Sequence, residues 1–593
     1  MLLIQNFPFF SIMIIMFTAI ICSMLKGKAA RYLCMSSISV ICVLSLATLA
    51  YVGNENISYV YYMGHFPAPW GNEIRIGVTE AMTATLFSFI VLLVLLGGGK
   101  YIHDEIDSSK QNYFYLLASL LLGSLLALIY TNDIFTAYVF LEINTIATCG
   151  LVALRHTGRA VASAIQYMAM SLLGSGLVLI GITLLYTMTG HLLMSNIKEA
   201  VAQIVAQGTY TIPLTVVIGL ITIGLAIKSG LYPFHGWIPD AYSTSTPTAS
   251  ALLSGLASKG YIILLIKIYY RVLGVNSIVS GKILDVVFVL GIIAMIMGSI
   301  HAMREGDIRR MSAFSSVSHI GYIFMCIGMG TDAGMTAAVF HLYTHAMTKA
   351  MLFMSVAGVA DVSGLRMATG TVHIKHPEAL FRFLQEKMGR SDKMKGSYGK
   401  RRGHKERREV ISEYDVRQQN QEAIVAGAVE EELVGVTGVF DSTVHVVRSH
   451  PDLLLRKPSA DSNRFDDTKG AGHRNRIAGF AYCIGALSIV GVPLLAGFSS
   501  KLNIATSVLD VRDKLWPVMI TMAVSTILMV VYFLRMLIQL YLPSDQEEMR
   551  KVTWKQQKGF AVSLGLFVAL NVFFGLCSGW VISLLEQGMK LFG

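Results

Sequence analysis

Gly224-Leu-Ala-Ile-Lys228-Ser-Gly230-Leu-Tyr-Pro233-Phe-His-Gly236-Trp-Ile-Pro239-Asp240 places one lysine at the end of an apolar run and follows it with glycines and prolines. Gly230, Pro233 and Gly236 make a continuous helix difficult, because proline lacks a backbone donor and glycine loses the most freedom on ordering. A broken helix exposes free backbone groups, which a bilayer tolerates only against protein or a hydrated cavity. The stretch therefore predicts an interrupted membrane helix beside an ion site at Lys228.

Working outward, the same chemistry recurs. Lys259 and Lys501 also lie inside apolar stretches long enough to cross a membrane. Charged side chains at that depth are rare, face a protein interior or water, and mark ion or proton pathways. A second interruption, Ser488-Ile-Val-Gly491-Val-Pro493-Leu-Leu-Ala-Gly497-Phe-Ser-Ser-Lys501, again sets Gly and Pro beside one lysine. Two such segments in the two halves of a long membrane chain suggest inverted repeats, although the halves are only weakly similar in sequence. Upstream, Asn132-Asp-Ile-Phe-Thr-Ala-Tyr-Val-Phe-Leu-Glu142-Ile-Asn144 carries a carboxylate within a helix. An isolated buried carboxylate protonates, so a cationic partner is expected for Glu142, with Lys228 the leading choice. Between the two halves, His341-Leu-Tyr-Thr-His345-Ala-Met-Thr-Lys349 puts three titratable groups on one helix face at spacings of four. No acidic third ligand accompanies the histidine pair as in HExxH, so metal binding is not expected there. His319 has two readings, a backbone-bonded core histidine or a further relay member. Lys267 and Arg271 sit near a helix end and are expected to snorkel to the interface. Arg304, Asp307, Arg309 and Arg310 read as an interfacial anchor or subunit contact.

Composition agrees with a membrane protein. The 593 residues are 54% hydrophobic and 14% charged, with mean hydropathy +0.58, far from a soluble balance. Apolar runs start near residues 8, 31, 81, 111, 133, 161, 211, 247, 283, 308, 333, 476, 516 and 559, giving a polytopic helical protein of about fourteen spans. Lys26, Lys28 and Arg31 follow the first span where a cleavage site would be, so a cleaved signal peptide is not expected. The net charge of +11 matters through its placement: fourteen Lys/Arg against six favour both termini outside the membrane. The cysteines lie in or beside apolar segments without a CxxC pair, indicating neither disulfides nor a metal or iron-sulfur site. From Asp361 to Asn475 the chain turns polar and carries a basic run, Lys387 to Arg408, expected to be cytoplasmic and solvated. His376 to Met388 reads as a short amphipathic helix. Anionic lipid or a partner subunit fits the basic run better than nucleic acid, since Tyr398 is its one aromatic residue.

These segments together resemble the antiporter-like membrane subunits shared by respiratory complex I, energy-converting membrane-bound hydrogenases and Mrp-type cation/proton antiporters. The resemblance rests on the Glu142 segment, the run from Lys228 to Asp240, Pro247-Thr-Ala-Ser-Ala-Leu-Leu, Glu305 to Gly321, His341 to Lys349, and Gly-Phe-Ser-Ser-Lys501, in the family's order. It implies an all-α fold of fourteen helices with two inverted five-helix repeats and discontinuous seventh and twelfth helices. The implied domains are 1–110 (helices 1–3), 111–275 (first repeat, helices 4–8), 276–360 with 476–545 (second repeat, helices 9–13), 361–475 (polar insert) and 546–593 (helix 14). Residue by residue, Glu142 and Lys228 resemble the family's coupled ion pair, Lys259 its eighth-helix relay, His341 and His345 its eleventh-helix relay, and Lys501 its exit-side lysine; His319 and Lys349 are further candidates. The insert departs from the usual pattern, and the long lateral helix of some members has no counterpart in the sequence. Met63 to Asn72 resembles the Mrp and hydrogenase branches more than complex I.

The implied function is proton translocation in the plasma (inner) membrane, within a complex I-like or hydrogenase-like redox complex whose other membrane subunits and peripheral redox arm supply the energy. The alternative is a subunit of an Mrp-type Na+/H+ antiporter driven by an ion gradient, and a third reading is a structural subunit with an idle relay. No nucleotide, flavin, quinone or cluster signature is present, so no redox catalytic residue and no cofactor are expected in this chain.

Overall fold

The computed structural model describes residues 3–66, 71–273, 278–363, 465–509, 511–543 and 552–592. They belong to one compact unit, Met1–Ser363 with Asn463–Gly593. The basic run 387–408, the expected helix over 376–388 and part of the 63–72 run lie outside the described residues.

The expected spans are helices. In chain order they are α1 (Phe7–Met24), α2 (Gly27–Glu55), α3 (Val78–Glu105), α4 (Gln111–Tyr130), α5 (Ile134–Ala153), α6 (Gly158–Thr189), a shorter α7 (Met194–Gln207) and α8 (Thr211–Ser229). Next come α9 (Trp237–Thr244), α10 (Pro247–Leu252), α11 (Ser258–Ile268), α12 (Ile278–Arg304), α13 (Ile308–Gly328) and α14 (Asp332–Asp361). After the insert follow α15 (Ala471–Arg474), α16 (Arg476–Val490), α17 (Ala496–Ser507), α18 (Arg512–Tyr541), α19 (Lys558–Leu576) and α20 (Ser578–Lys590). Among the described residues, twelve helical stretches are long and apolar enough to cross a membrane. The chain is an integral, polytopic membrane protein. Two expected spans fall short of that measure for readable reasons: α14 is diluted by His341, His345 and Lys349, and α16 is a 15-residue helix stopped at Gly491. The sequence reading missed one antiparallel pair, β1 (Tyr59–Tyr62) with β2 (Glu73–Ile76), before α3.

Local chemistry fixes where helices begin. Asp133 accepts from the Thr136 amide at the start of α5, Thr246 from Ala249 at α10, and Asp307 from Arg309 and Arg310 at α13; each satisfies amides that a helix start leaves free. Glycine fixes two of the ends. Gly230 closes α8 at φ +75°, where a Cβ would stand 2.1 Å from Ile238, and Gly491 closes α16 at φ +98° against the Lys501 side chain. Helical structure resumes at Trp237 and at Ala496.

Packing places the polar helices innermost. The most apolar eighteen-residue windows of Pro247–Leu273 and of α13 are wholly buried, whereas that of α2 is 28% buried. Close helix approach depends on missing side chains: a Cβ on Gly174 of α6 would meet the Gly224 carbonyl of α8 at 2.7 Å, the small-residue contact typical of membrane helices.

Two expectations are corrected by this packing. Lys267 and Arg271 do not snorkel; both are buried. The Lys267 ammonium donates to carbonyls at the end of α4, and Arg271 pairs with Glu80 of α3. Arg309 likewise turns inward to the Ser245 carbonyl at 2.7 Å and the Ser250 hydroxyl at 2.9 Å, and Arg310 clips Asp240 and Glu305 at 2.5 and 3.2 Å. The heads of Lys267, Arg271 and Arg309 find acceptors within the bundle, so reaching the interface gains nothing, whereas Arg310 stays 36% exposed, compatible with the expected anchor.

Candidate functional site

The α6–α8 contact delivers Lys228 into a hydroxyl cage. Its ammonium donates to Thr145 Oγ1 at 2.8 Å, Ser171 Oγ at 3.0 Å and Ser175 Oγ at 2.5 Å. Glu142 Oε1 stands at 3.4 Å, with its side chain 25% exposed against 0% for Lys228. The expected pair is therefore brought together, but asymmetrically: the carboxylate keeps access to the surroundings and the ammonium does not. Burying an ion costs several kcal/mol even after relaxation, and three hydroxyl acceptors plus a carboxylate offset that for Lys228.

From this cage an aromatic and hydroxyl bridge leads inward. Lys228 Nζ lies 5.5 Å from the centre of the Tyr261 ring, whose hydroxyl donates to Asn144 Oδ1 at 2.8 Å. Tyr261 is two residues from Lys259, which is fully buried at the start of α11. The five residues before α11, Leu253–Ala257, form a π-helical turn, and the Lys259 ammonium bonds the Ser254 carbonyl and, at 3.3 Å, the Ser258 hydroxyl. π-turns free carbonyls of this kind and recur at functional sites. The same turn packs directly on α14: a Cβ on Gly255 would lie 3.3 Å from both the Ala346 carbonyl and the Ala350 Cβ. Ala346 and Ala350 directly follow His345 and Lys349 in the chain.

A second cluster forms where α13, α14 and α17 meet. Lys349 bonds the Ser312 carbonyl at 2.9 Å and the Ser315 hydroxyl. The rings of His341 and His345 both stack on His319, with centroids 5.1 Å apart in each case. His319 Nδ1 is 3.0 Å from His341 Nε2, and His341 Nδ1 is 2.6 Å from Ser500 Oγ. His319 is thus the bonded partner of His341, which the backbone-bonded reading did not anticipate. The adjacent Lys501 donates to the Val490 carbonyl at 2.8 Å, at the interruption after α16, and to Thr526 Oγ1 at 3.0 Å. Both ring nitrogens of His345 and Nε2 of His319 are buried with no partner among the described residues, a state that ordered water ordinarily relieves. Each neutral imidazole offers one donor and one acceptor, so the arrangement can pass a proton along.

Sequence reasoning missed the acceptors. Thr145, Ser171, Ser175, Ser315 and Thr526 hold the cations by their hydroxyls, Ser312 by its carbonyl, and Ser500 meets His341; the one legible signal was the hydroxyl pair at helical spacing, Ser171 with Ser175. Among the described residues no group of three His, Cys, Asp or Glu side chains is placed to hold a metal.

Residues 131–373, which contain Glu142, Lys228, Lys259, His319, His341, His345 and Lys349, match the family described as NADH:quinone oxidoreductase/Mrp antiporter, transmembrane. That part of the chain is thus similar to the transmembrane domain of this family. Among its relatives, NADH-quinone oxidoreductase subunit N of Desulforudis audaxviator is 31% identical over 317 residues, 53% of this chain and 61% of the relative. One Na(+)/H(+) antiporter subunit of Alkalihalophilus pseudofirmus is 24% identical over 310 residues, 52% of this chain and 61% of the relative. The chain thus spans about three fifths of the length of these curated relatives. Its fold is similar over its full length to a chain of the membrane-bound sulfane sulfur reductase, an archaeal respiratory membrane complex, with TM-score 0.74 at 20% identity and 97% of that chain covered. It is similar also to a chain of the Mrp complex from Dietzia, with TM-score 0.72 at 17% identity and 98% covered.

Proposed function

We propose that this chain moves protons across the membrane through Glu142, Lys228, Lys259, His341, His345 and Lys501, with His319 and Lys349 as further members, as a membrane subunit of a multisubunit complex I-like or energy-converting hydrogenase-like redox complex. The carrying observation is the run of titratable groups from the partly exposed Glu142 to the buried Lys228, past Tyr261 and the π-turn, to the stacked histidines and Lys501. Water joining the unpartnered histidine nitrogens completes the path. Movement of Glu142 toward or away from Lys228 switches Lys228 between holding its proton and passing it on, since a nearby carboxylate favours the charged lysine and its withdrawal favours release. In this reading the interrupted segments at 230–236 and 491–495 are the discontinuous seventh and twelfth helices of two inverted repeats, 111–275 and 276–360 with 476–545. Both termini lie outside and the insert 361–475 inside the cell. The energy comes from a peripheral redox arm of other subunits.

The second reading keeps the relay and changes the driver: a Na+/H+ antiporter subunit powered by an ion gradient, favoured by the similarly close fold of the Mrp chain. Purifying the parent complex and identifying its other subunits separates the two.

Lys501 tests the relay itself. Lys501→Ala is expected to cut driven transport strongly, and Lys501→Arg to fail as well, because arginine does not release its proton at accessible pH. Reconstituted complex in sealed vesicles gives the answer: near-normal transport with arginine would mean that Lys501 supplies charge alone.

A further inference from the structure

Three buried charges outside the proposed relay gather at the opposite end of the helix that carries Lys259. Lys267 and Arg271 follow Lys259 by two and three turns, so the Pro247–Leu273 stretch sets buried cations over about 18 Å of its length. Glu80, in the first turn of α3, pairs with Arg271, and both side chains are 2% exposed. Each nitrogen and oxygen of the three charged heads has a hydrogen-bond partner. Lys267 donates to the carbonyls of Leu128, at 3.3 Å, of Ile129, and of Thr131, at 2.8 Å. Arg271 Nε donates to the Phe592 carbonyl at 2.7 Å, and Nη1 to Asn132 Oδ1 at 3.3 Å. The Phe592 ring covers the guanidinium at 4.8 Å. Glu80 Oε2 accepts from the Gly77 amide at 3.0 Å, and Asn132 Nδ2 donates to Glu73 at 2.7 Å.

The relay helix approaches this group through a hydroxyl pair that ends on the Thr79 carbonyl, one residue from Glu80. Tyr343, on α14 between His341 and His345, has its hydroxyl 2.6 Å from Thr83 Oγ1, and Thr83 is one turn from Glu80. A proton wire needs each member to accept as well as donate, and a guanidinium is donor-only and does not deprotonate. We propose that the buried Glu80–Arg271 pair, covered by Phe592, is a proton-wire stop that closes this end of the Lys259 helix and forces protons sideways onto α14. This proposal rests on the relay reading above. Fixed arginines that exclude protons by position are a known selectivity device of membrane pores.

The test compares two variants of the assembled complex in sealed vesicles with the driving reaction off, reading passive proton leak after an imposed pH step and normalising to assembled complex. Glu80→Gln with Arg271→Gln removes both charges together, avoiding a lone buried ion, and puts an acceptor where the guanidinium was. Its leak is expected to rise roughly tenfold or more. Glu80→Asp alone keeps the arginine and its countercharge and is expected to stay within about twofold of wild type. Wild-type leak in the double variant overturns the stop, as does equal leak in both variants, which would mean loosened packing. Loss of the assembled complex in the double variant makes the pair a folding element and overturns it too. Driven transport by the wild-type complex is measured alongside, so a failure of the relay reading shows there and not in the leak.

Discussion

Lys228 shows how a charge is kept at membrane depth. Its head is met by Thr145, Ser171, Ser175 and Glu142, and hydrogen bonds to a charged group contribute about 1.5–3 kcal/mol each. Glu142→Gln keeps the shape and removes the one countercharge in the cage. The parent complex is expected to assemble nearly normally while driven ion transport drops by about tenfold or more, and wild-type transport in this variant would remove Glu142 from the mechanism. Ser175→Ala deletes a neutral acceptor from the same cage, so its effect depends on Glu142. In a double-mutant cycle on transport rate, Ser175→Ala and Glu142→Gln are expected to couple by roughly 0.5–3 kcal/mol. Strict additivity would show that the two side chains act on separate steps.

At the scale of helices, small residues decide how near the charged faces come. Gly174 and Gly224 let α6 touch α8 backbone to backbone, and the Cγ of Lys228 lies 2.9 Å from where a Gly174 Cβ would stand. Gly174→Ala is expected to lower stability by about 1–3 kcal/mol and to slow transport by displacing Lys228 from its hydroxyls. Gly176, two residues along α6, faces open space, so Gly176→Ala is expected to be neutral or slightly stabilising, since alanine is the better helix former. Thermal inactivation midpoints of the two variants check this; equal losses would mean that the α6–α8 approach is not set by Gly174. The interruptions follow the same logic, with Gly230 two residues after Lys228 and Gly491 against the Lys501 side chain, both in left-handed conformations.

For the whole molecule, the topology proposed from the charge bias across the short loops and the parity of the spans has the polar insert in the cytoplasm. A cysteine introduced at Gly396 is expected to resist an impermeant thiol reagent in intact cells and to react once the membrane is opened; labelling from outside would reverse the topology. Deleting residues 390–408 is expected to leave the membrane bundle assembled, because that run holds almost no apolar side chain able to contribute a core. Absence of the variant from the purified complex would instead identify the run as a docking element.

Hydropathy by itself determined that this chain is a helical membrane protein, because about twenty apolar residues in a row have few other stable solutions. Glycine and proline in 224–240 and 488–501 marked the interruptions, and the rarity of charge in such runs marked Glu142, Lys228, Lys259, His341, His345, Lys349 and Lys501. What only the tertiary structure decided is which acceptor each cation meets. Sequence position near a helix end made Lys267 and Arg271 look like interface residues, yet the carbonyl end of α4 and Glu80 of α3 reach them inside the bundle. The π-turn ahead of Lys259 and the hydroxyls around Lys228 and Lys349 carry no pattern strong enough to separate them from ordinary serines, since a hydroxyl becomes a ligand through the helix packed against it.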